Sequence, residues 1–102
     1  MKKLNEDFSK LYSRNYCVAT SSGTAAIHAA LSAVGVTEGD EVITSPITDF
    51  GTIIGILFQN AIPVFADVDI NTCNLDPKSV REKITDRTKL LILPFPNNPT
   101  GG

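Results

Sequence analysis

Apolar positions along this chain change their spacing repeatedly, from three and four residues apart to short continuous runs and back, the pattern of successive βαβ units. Leu4, Phe8, Leu11 and Tyr12 fall on one helical face. Tyr16 to Thr20 is short, β-prone and apolar enough to predict a buried strand, which Ser21-Ser22-Gly23-Thr24 breaks. From Ala25 to Val34 the residues Ile27, Ala30, Leu31 and Val34 recur at three and four in an alanine-rich run, and Gly35 follows as a C-terminal stop, so this segment predicts a helix. After the Gly39-Asp40 turn, Glu41 to Thr44 reads as a strand that Pro46 ends. A second core helix is expected from about Phe50 to Gln59, with Ile53, Ile54, Leu57 and Phe58 as its buried face, despite the low helix propensity of Gly51 and Gly55. Ile62 to Ala66 is the next strand, bounded by Asn60 and by Asp67-Val68-Asp69. Asp76 and Pro77 form an N-cap with a first-turn proline, opening a helix with Val80 and Ile84 on one side. Lys89 to Leu93 closes the series. Four strands separated by three helices predict an α/β fold, a three-layer sandwich around a mainly parallel sheet.

At 102 residues the chain is expected to hold a single domain, residues 1–102. Its 42% hydrophobic and 20% charged residues exclude disordered and collagen-like classes. The longest apolar run, Ile53 to Phe58, is far too short to cross a bilayer and is expected to be core. A net charge of −2, without a basic stripe, favours neither nucleic acid nor an anionic membrane as partner. Cys17 and Cys73 lie in no metal-ligand spacing and His28 is the sole histidine, so no zinc site is expected. They read as reduced structural cysteines of a cytoplasmic protein. Met1-Lys2-Lys3 is followed by Leu4-Asn5-Glu6-Asp7 rather than by an apolar stretch, which argues against a signal peptide.

In open α/β sheets, ligands bind at the carboxyl ends of the strands, and three such ends carry candidate chemistry. Ser22-Gly23-Thr24 precedes an alanine-rich helix, where free N–H groups, the positive dipole end and two hydroxyls would cradle a phosphate; Walker A and G-x-G-x-x-G spacings are both absent. Simple N-capping by the same hydroxyls is the competing reading. Pro96-Asn97-Asn98-Pro99-Thr100-Gly101 holds two amides between prolines and either projects an asparagine towards a ligand oxygen or forms a plain turn. Asp49 and Phe50 follow the Glu41–Thr44 strand, and Phe50 would either stack on a flat ring or join the core. His28 reads as a half-buried packing residue, and Asp67 and Asp69 as loop caps rather than metal ligands. The chain ends inside a turn-rich loop where a site would begin, the pattern expected of a truncated protein.

Ser22-Gly23-Thr24-Ala25-Ala26-Ile27-His28, Gly39-Asp40-Glu41-Val42-Ile43, Val64-Phe65-Ala66-Asp67-Val68-Asp69 and Asn74-Leu75-Asp76, in this order, resemble the DegT/DnrJ family of sugar aminotransferases. These are pyridoxal-phosphate (PLP) enzymes of the aspartate aminotransferase fold, fold type I. The resemblance runs from about Phe8 to Lys89, while the tail, Asn97-Asn98-Pro99-Thr100-Gly101, resembles class I/II aminotransferases.

The resemblance implies part of a PLP-binding large domain, truncated at both ends. It places the phosphate-binding turn on Gly23 and Thr24 with Ser22 beside them, and a contact to the cofactor's phenolic oxygen on Asn98. The family's ring-stacking aromatic aligns with Asp49, leaving Phe50 as the nearest substitute. The Schiff-base lysine and the aspartate facing the pyridine nitrogen would lie past Gly102, so no residue here is assigned a catalytic role. For the parent protein it implies amino transfer from an amino acid to a keto sugar, expected to be nucleotide-linked, in a homodimer. Two alternatives stand beside it: a fragment of a class I/II amino-acid aminotransferase, and a small non-catalytic phosphate- or nucleotide-binding α/β module.

Overall fold

The computed structural model describes all 102 residues. Helix α1 (Lys2–Leu11) precedes α2 (Gly23–Ala33), β1 (Glu41–Thr44), α3 (Gly51–Phe58), β2 (Ile62–Phe65), α4 (Pro77–Lys83) and β3 (Thr88–Leu91). The sheet is three-stranded in the order β2-β1-β3, and both pairings are parallel. The chain leaves β1 towards one neighbour and then returns past it to the other, so two right-handed crossovers require α3 and α4 to lie on opposite faces. They do. Val42 packs with Leu31 of α2, Ile56 of α3, Val36 and Ala61, and Leu90 and Ile92 close on the same cluster. On the other face, Leu91 and Leu93 line a groove of about 340 Å³ with Leu75 and with Val80 and Ile84 from the α4 side. The α/β three-layer architecture is therefore present around a short parallel sheet.

The expected strand at Tyr16–Thr20 is not formed, which leaves three strands where the periodicity predicts four. An apolar run becomes a buried strand only beside a partner that takes up its backbone groups, and the one long-range bond made here runs from Ala19 N–H to the Asn5 side chain. Tyr16 and Val18 consequently stand 90% and 79% exposed.

A second difference concerns the buried side of α3. Thr52, Gly55 and Ile56 face inward, whereas Leu57 and Phe58, expected inside, are exposed. The cause is the close approach of α2: a Cβ on Gly55 would stand 3.0 Å from Leu31 Cδ1 and 3.2 Å from His28 Cα, so the helices meet on the glycine. His28 is half-buried, as its helical position suggests, and its Nε2 lies 2.9 Å from Gln59 Oε1. Gln59 in turn donates to the Val36 carbonyl, tying the end of α3 to the turn after α2. Gly35, at φ +86°, takes the left-handed conformation that ends α2. Register is regular between β1 and β2 but slips between β1 and β3, where Lys89 is the unpaired, exposed residue of a bulge.

Candidate functional site

Parallel strands point their carboxyl ends one way, and the loops after β1 and β3 meet there with the start of α2. Gly23 and Thr24, Thr48, Asp49 and Gly51, and Pro94 and Asn98 surround an open cavity of about 350 Å³, within the size range of small-ligand sites. The cavity thus joins residues from three segments that are remote in sequence.

Two helix N-termini reach this cavity, and they differ. At α3, the Gly51 N–H donates to Asp49 Oδ1 at 2.8 Å, and the next three N–H groups donate to the carbonyls of Asp49 and Phe50. Its first turn is satisfied from within the chain. At α2, Ser22 Oγ accepts from Ala25 N–H at 3.1 Å and the Ser22 carbonyl takes Ala26 N–H, while the N–H groups of Gly23 and Thr24 donate to no group of the protein. Donors of this kind, with the positive end of an 11-residue helix behind them, suit an anion. A Cβ built on Gly23 would meet nothing within 4 Å, so approach to its backbone is open. The two helix starts are in near contact: a Cβ on Gly51 would lie 2.8 Å from Thr24 Oγ1.

The tail is held from both sides. Asn97 is buried, its Nδ2 donating to the Ile47 carbonyl at 2.7 Å and its N–H to the Gly102 carbonyl at 2.9 Å; its Oδ1 is buried without a partner. Asn98 is exposed, and its Nδ2 donates to Asp49 Oδ2 at 2.9 Å.

Of the residues singled out from sequence, Gly23, Thr24 and Asn98 come together around the cavity. Ser22 stands one step outside as the cap of α2. Phe50 is 60% exposed at the start of α3, outside the core, and is not among the residues that line the cavity. Asp49, named with Phe50 at this strand end but given no role, is the residue that bridges the two loops. Its signal was local: an Asp two positions before a Gly is an Asx-turn pattern, which turns the carboxylate back onto the chain. Nothing in the sequence separates the buried Asn97 from the exposed Asn98. Cys17 and Cys73 are half-buried free thiols, no three metal-ligating side chains gather anywhere, and no helix is long and apolar enough to cross a membrane.

Comparison with known proteins places this geometry among relatives. The DegT/DnrJ/EryC1/StrS aminotransferase family matches residues 1–94. Spore coat polysaccharide biosynthesis protein SpsC of Bacillus subtilis (strain 168) is 41% identical over 92 residues, 90% of this chain and 24% of that protein. An aminotransferase from Psychrobacter cryohalolentis superposes with a TM-score of 0.82 at 35% identity, over 90% of this chain and 23% of its own. GDP-4-keto-6-deoxymannose-3-dehydratase, solved with a trapped PLP-glutamate geminal diamine, gives 0.79 at 31% identity, over 90% of this chain and 25% of its own. The chain therefore spans about a quarter of the length of these relatives.

Proposed function

Because this chain belongs to the DegT/DnrJ/EryC1/StrS aminotransferase family, we propose that residues 1–102 form part of its PLP-binding large domain and supply the phosphate-binding end of the cofactor site. The observation that carries this reading is the pair of unengaged N–H groups at Gly23 and Thr24, at the start of α2 and on the wall of the cavity that Asn98 also lines. The residues present fit the group: an open glycine backbone, a threonine hydroxyl and two donors suit a phosphate monoester, and Asn98 offers an amide elsewhere on the wall. Ser22 holds the first turn of α2 in place, and Phe50 stands at the margin. When bound, PLP supplies an electron sink for chemistry at an amino-bearing carbon. The chain's own contribution is to bind and orient.

For the parent protein, amino transfer from an amino acid to a keto sugar is supported by the family, and a nucleotide-linked form of that sugar by the GDP-keto-sugar dehydratase among its structural neighbours. A homodimer accords with the apolar residues Leu4, Phe8 and Leu11, all exposed along α1, and a cytoplasmic setting with the two free thiols. Residues 95–102 lie outside the matched span and carry Asn98, so its contact to the cofactor rests on the tail's likeness to class I/II aminotransferases.

Titration of the purified chain with PLP, followed by its absorbance, tests the cofactor reading. Binding is expected to be weak and to be displaced by inorganic phosphate. Thr24→Ala should weaken it about fivefold, the scale of one ordinary hydrogen bond in an open, solvated site. Borohydride reduction and peptide mapping should find scattered label on surface lysines. PLP binding that phosphate does not displace, or one stoichiometric pyridoxyl-lysine with amino transfer, would overturn the reading.

A further inference from the structure

We infer that Asp49 is a positioning residue of this site: it clasps the Asn98 loop to the start of α3 and so fixes how the Asn98 amide faces the cavity. What Asn98 touches rests on the cofactor reading; the clasp does not. The two carboxylate oxygens of Asp49 serve different elements, Oδ1 accepting from Gly51 N–H at 2.8 Å and Oδ2 from Asn98 Nδ2 at 2.9 Å. Asp49 and Asn98 are both exposed, so packing holds neither side chain and hydrogen bonding must. An amide offers donors at one end and an acceptor at the other, and a carboxylate partner takes only the donor end. Asp49 thereby excludes the flipped amide and leaves one N–H and the carbonyl oxygen of Asn98 for a ligand. The backbone of the loop is fixed independently by the buried Asn97, through the Ile47 and Gly102 carbonyls, so Asp49 has only the next side chain to orient.

The same carboxylate gives the cavity a polarity. It occupies the N-terminus of α3, so the unengaged N–H groups at the start of α2 are the donors left for an anion. A ligand with one anionic end should therefore lie with that end at Gly23 and Thr24 and its uncharged, hydrogen-bonding end at Asn98.

Two measurements on the 102-residue chain test the clasp. Without ligand, the side-chain NH2 resonances of Asn98 should shift in Asp49→Ala. With PLP as probe, Asp49→Ala should lose about fivefold in affinity, and Asn98→Asp, which sets two carboxylates together, about tenfold. The swapped pair Asp49→Asn with Asn98→Asp restores one donor and one acceptor, and should regain at least about threefold over Asn98→Asp alone. A wild-type chain that fails to bind PLP but whose Asn98 resonances move in Asp49→Ala would sink the cofactor reading and uphold the clasp. Unmoved Asn98 resonances, or a swapped pair no better than Asn98→Asp, would overturn the clasp.

Discussion

Replacing Ile56 by alanine should remove about 3 to 4 kcal/mol of folding stability, the upper part of the range for emptying a fully buried isoleucine site. Ile56 is 0% exposed and sits between Leu31 of α2 and Val42 of β1, so its loss leaves a void bounded by two elements that cannot both close on it. A domain of this length has about 5 to 15 kcal/mol in total. With only 13 of 102 residues buried, this chain belongs at the low end, and the variant should keep only about 1 to 2 kcal/mol of it. Urea denaturation gives the comparison directly. Leu57→Ala, at a site 44% exposed, should cost less than about 1 kcal/mol. A helix turned to bury Leu57 and Phe58, as the apolar spacing alone suggests, would rank the two variants in the opposite order.

That reversal marks the boundary of what hydrophobic spacing conveys. The elements whose apolar residues meet a partner supplied by the chain were legible: α2, β1, β2, α4 and β3 lie within two residues of where spacing, capping and turn residues put them. The side of α3 that turns inward was not, because a six-residue run from Ile53 to Phe58 is apolar nearly all round and its orientation is chosen by the gap at Gly55. Tyr16–Thr20 has strand composition, yet composition does not supply the neighbouring strand that would pair with it. Spacing reports which residues avoid water; pairing and close approach are properties of two segments.

The site divides along the same line. Gly23 and Thr24 were legible because a helix N-terminus is a local device, with its donors and dipole set by the backbone alone. Asp49 and Asn98 were legible only as residues at strand ends. Their bond spans 49 positions of sequence and depends on β1 and β3 being neighbours, a fact of sheet order. Phe50 drew notice through its ring, but the Asx turn at Asp49 starts α3 so that Phe50 caps it from outside the cavity.

Gly55→Val should join the packing to the site. Helix propensity by itself favours filling Gly55, by about 1 kcal/mol for alanine. Against this stands the 3.0 Å separation from Leu31 Cδ1, which a flexible side-chain end can yield, and the 3.2 Å separation from His28 Cα, which is backbone and cannot yield unless α2 moves. Alanine should therefore be near neutral. Valine adds two methyl groups with restricted rotamers where the first carbon is already tight, and should destabilise the chain by about 2 kcal/mol. Displacing α2 also strains the His28–Gln59 bond and draws Thr24 away from Gly51, which opens the cavity between the phosphate-binding turn and Asp49. PLP affinity should then fall about tenfold, more than Thr24→Ala alone produces, because every donor on α2 moves together. Thermal unfolding and PLP titration of the alanine and valine variants side by side check both halves. A valine variant that melts at the wild-type temperature and binds PLP as well would mean that α2 and α3 do not meet on Gly55, and that the site does not depend on their spacing.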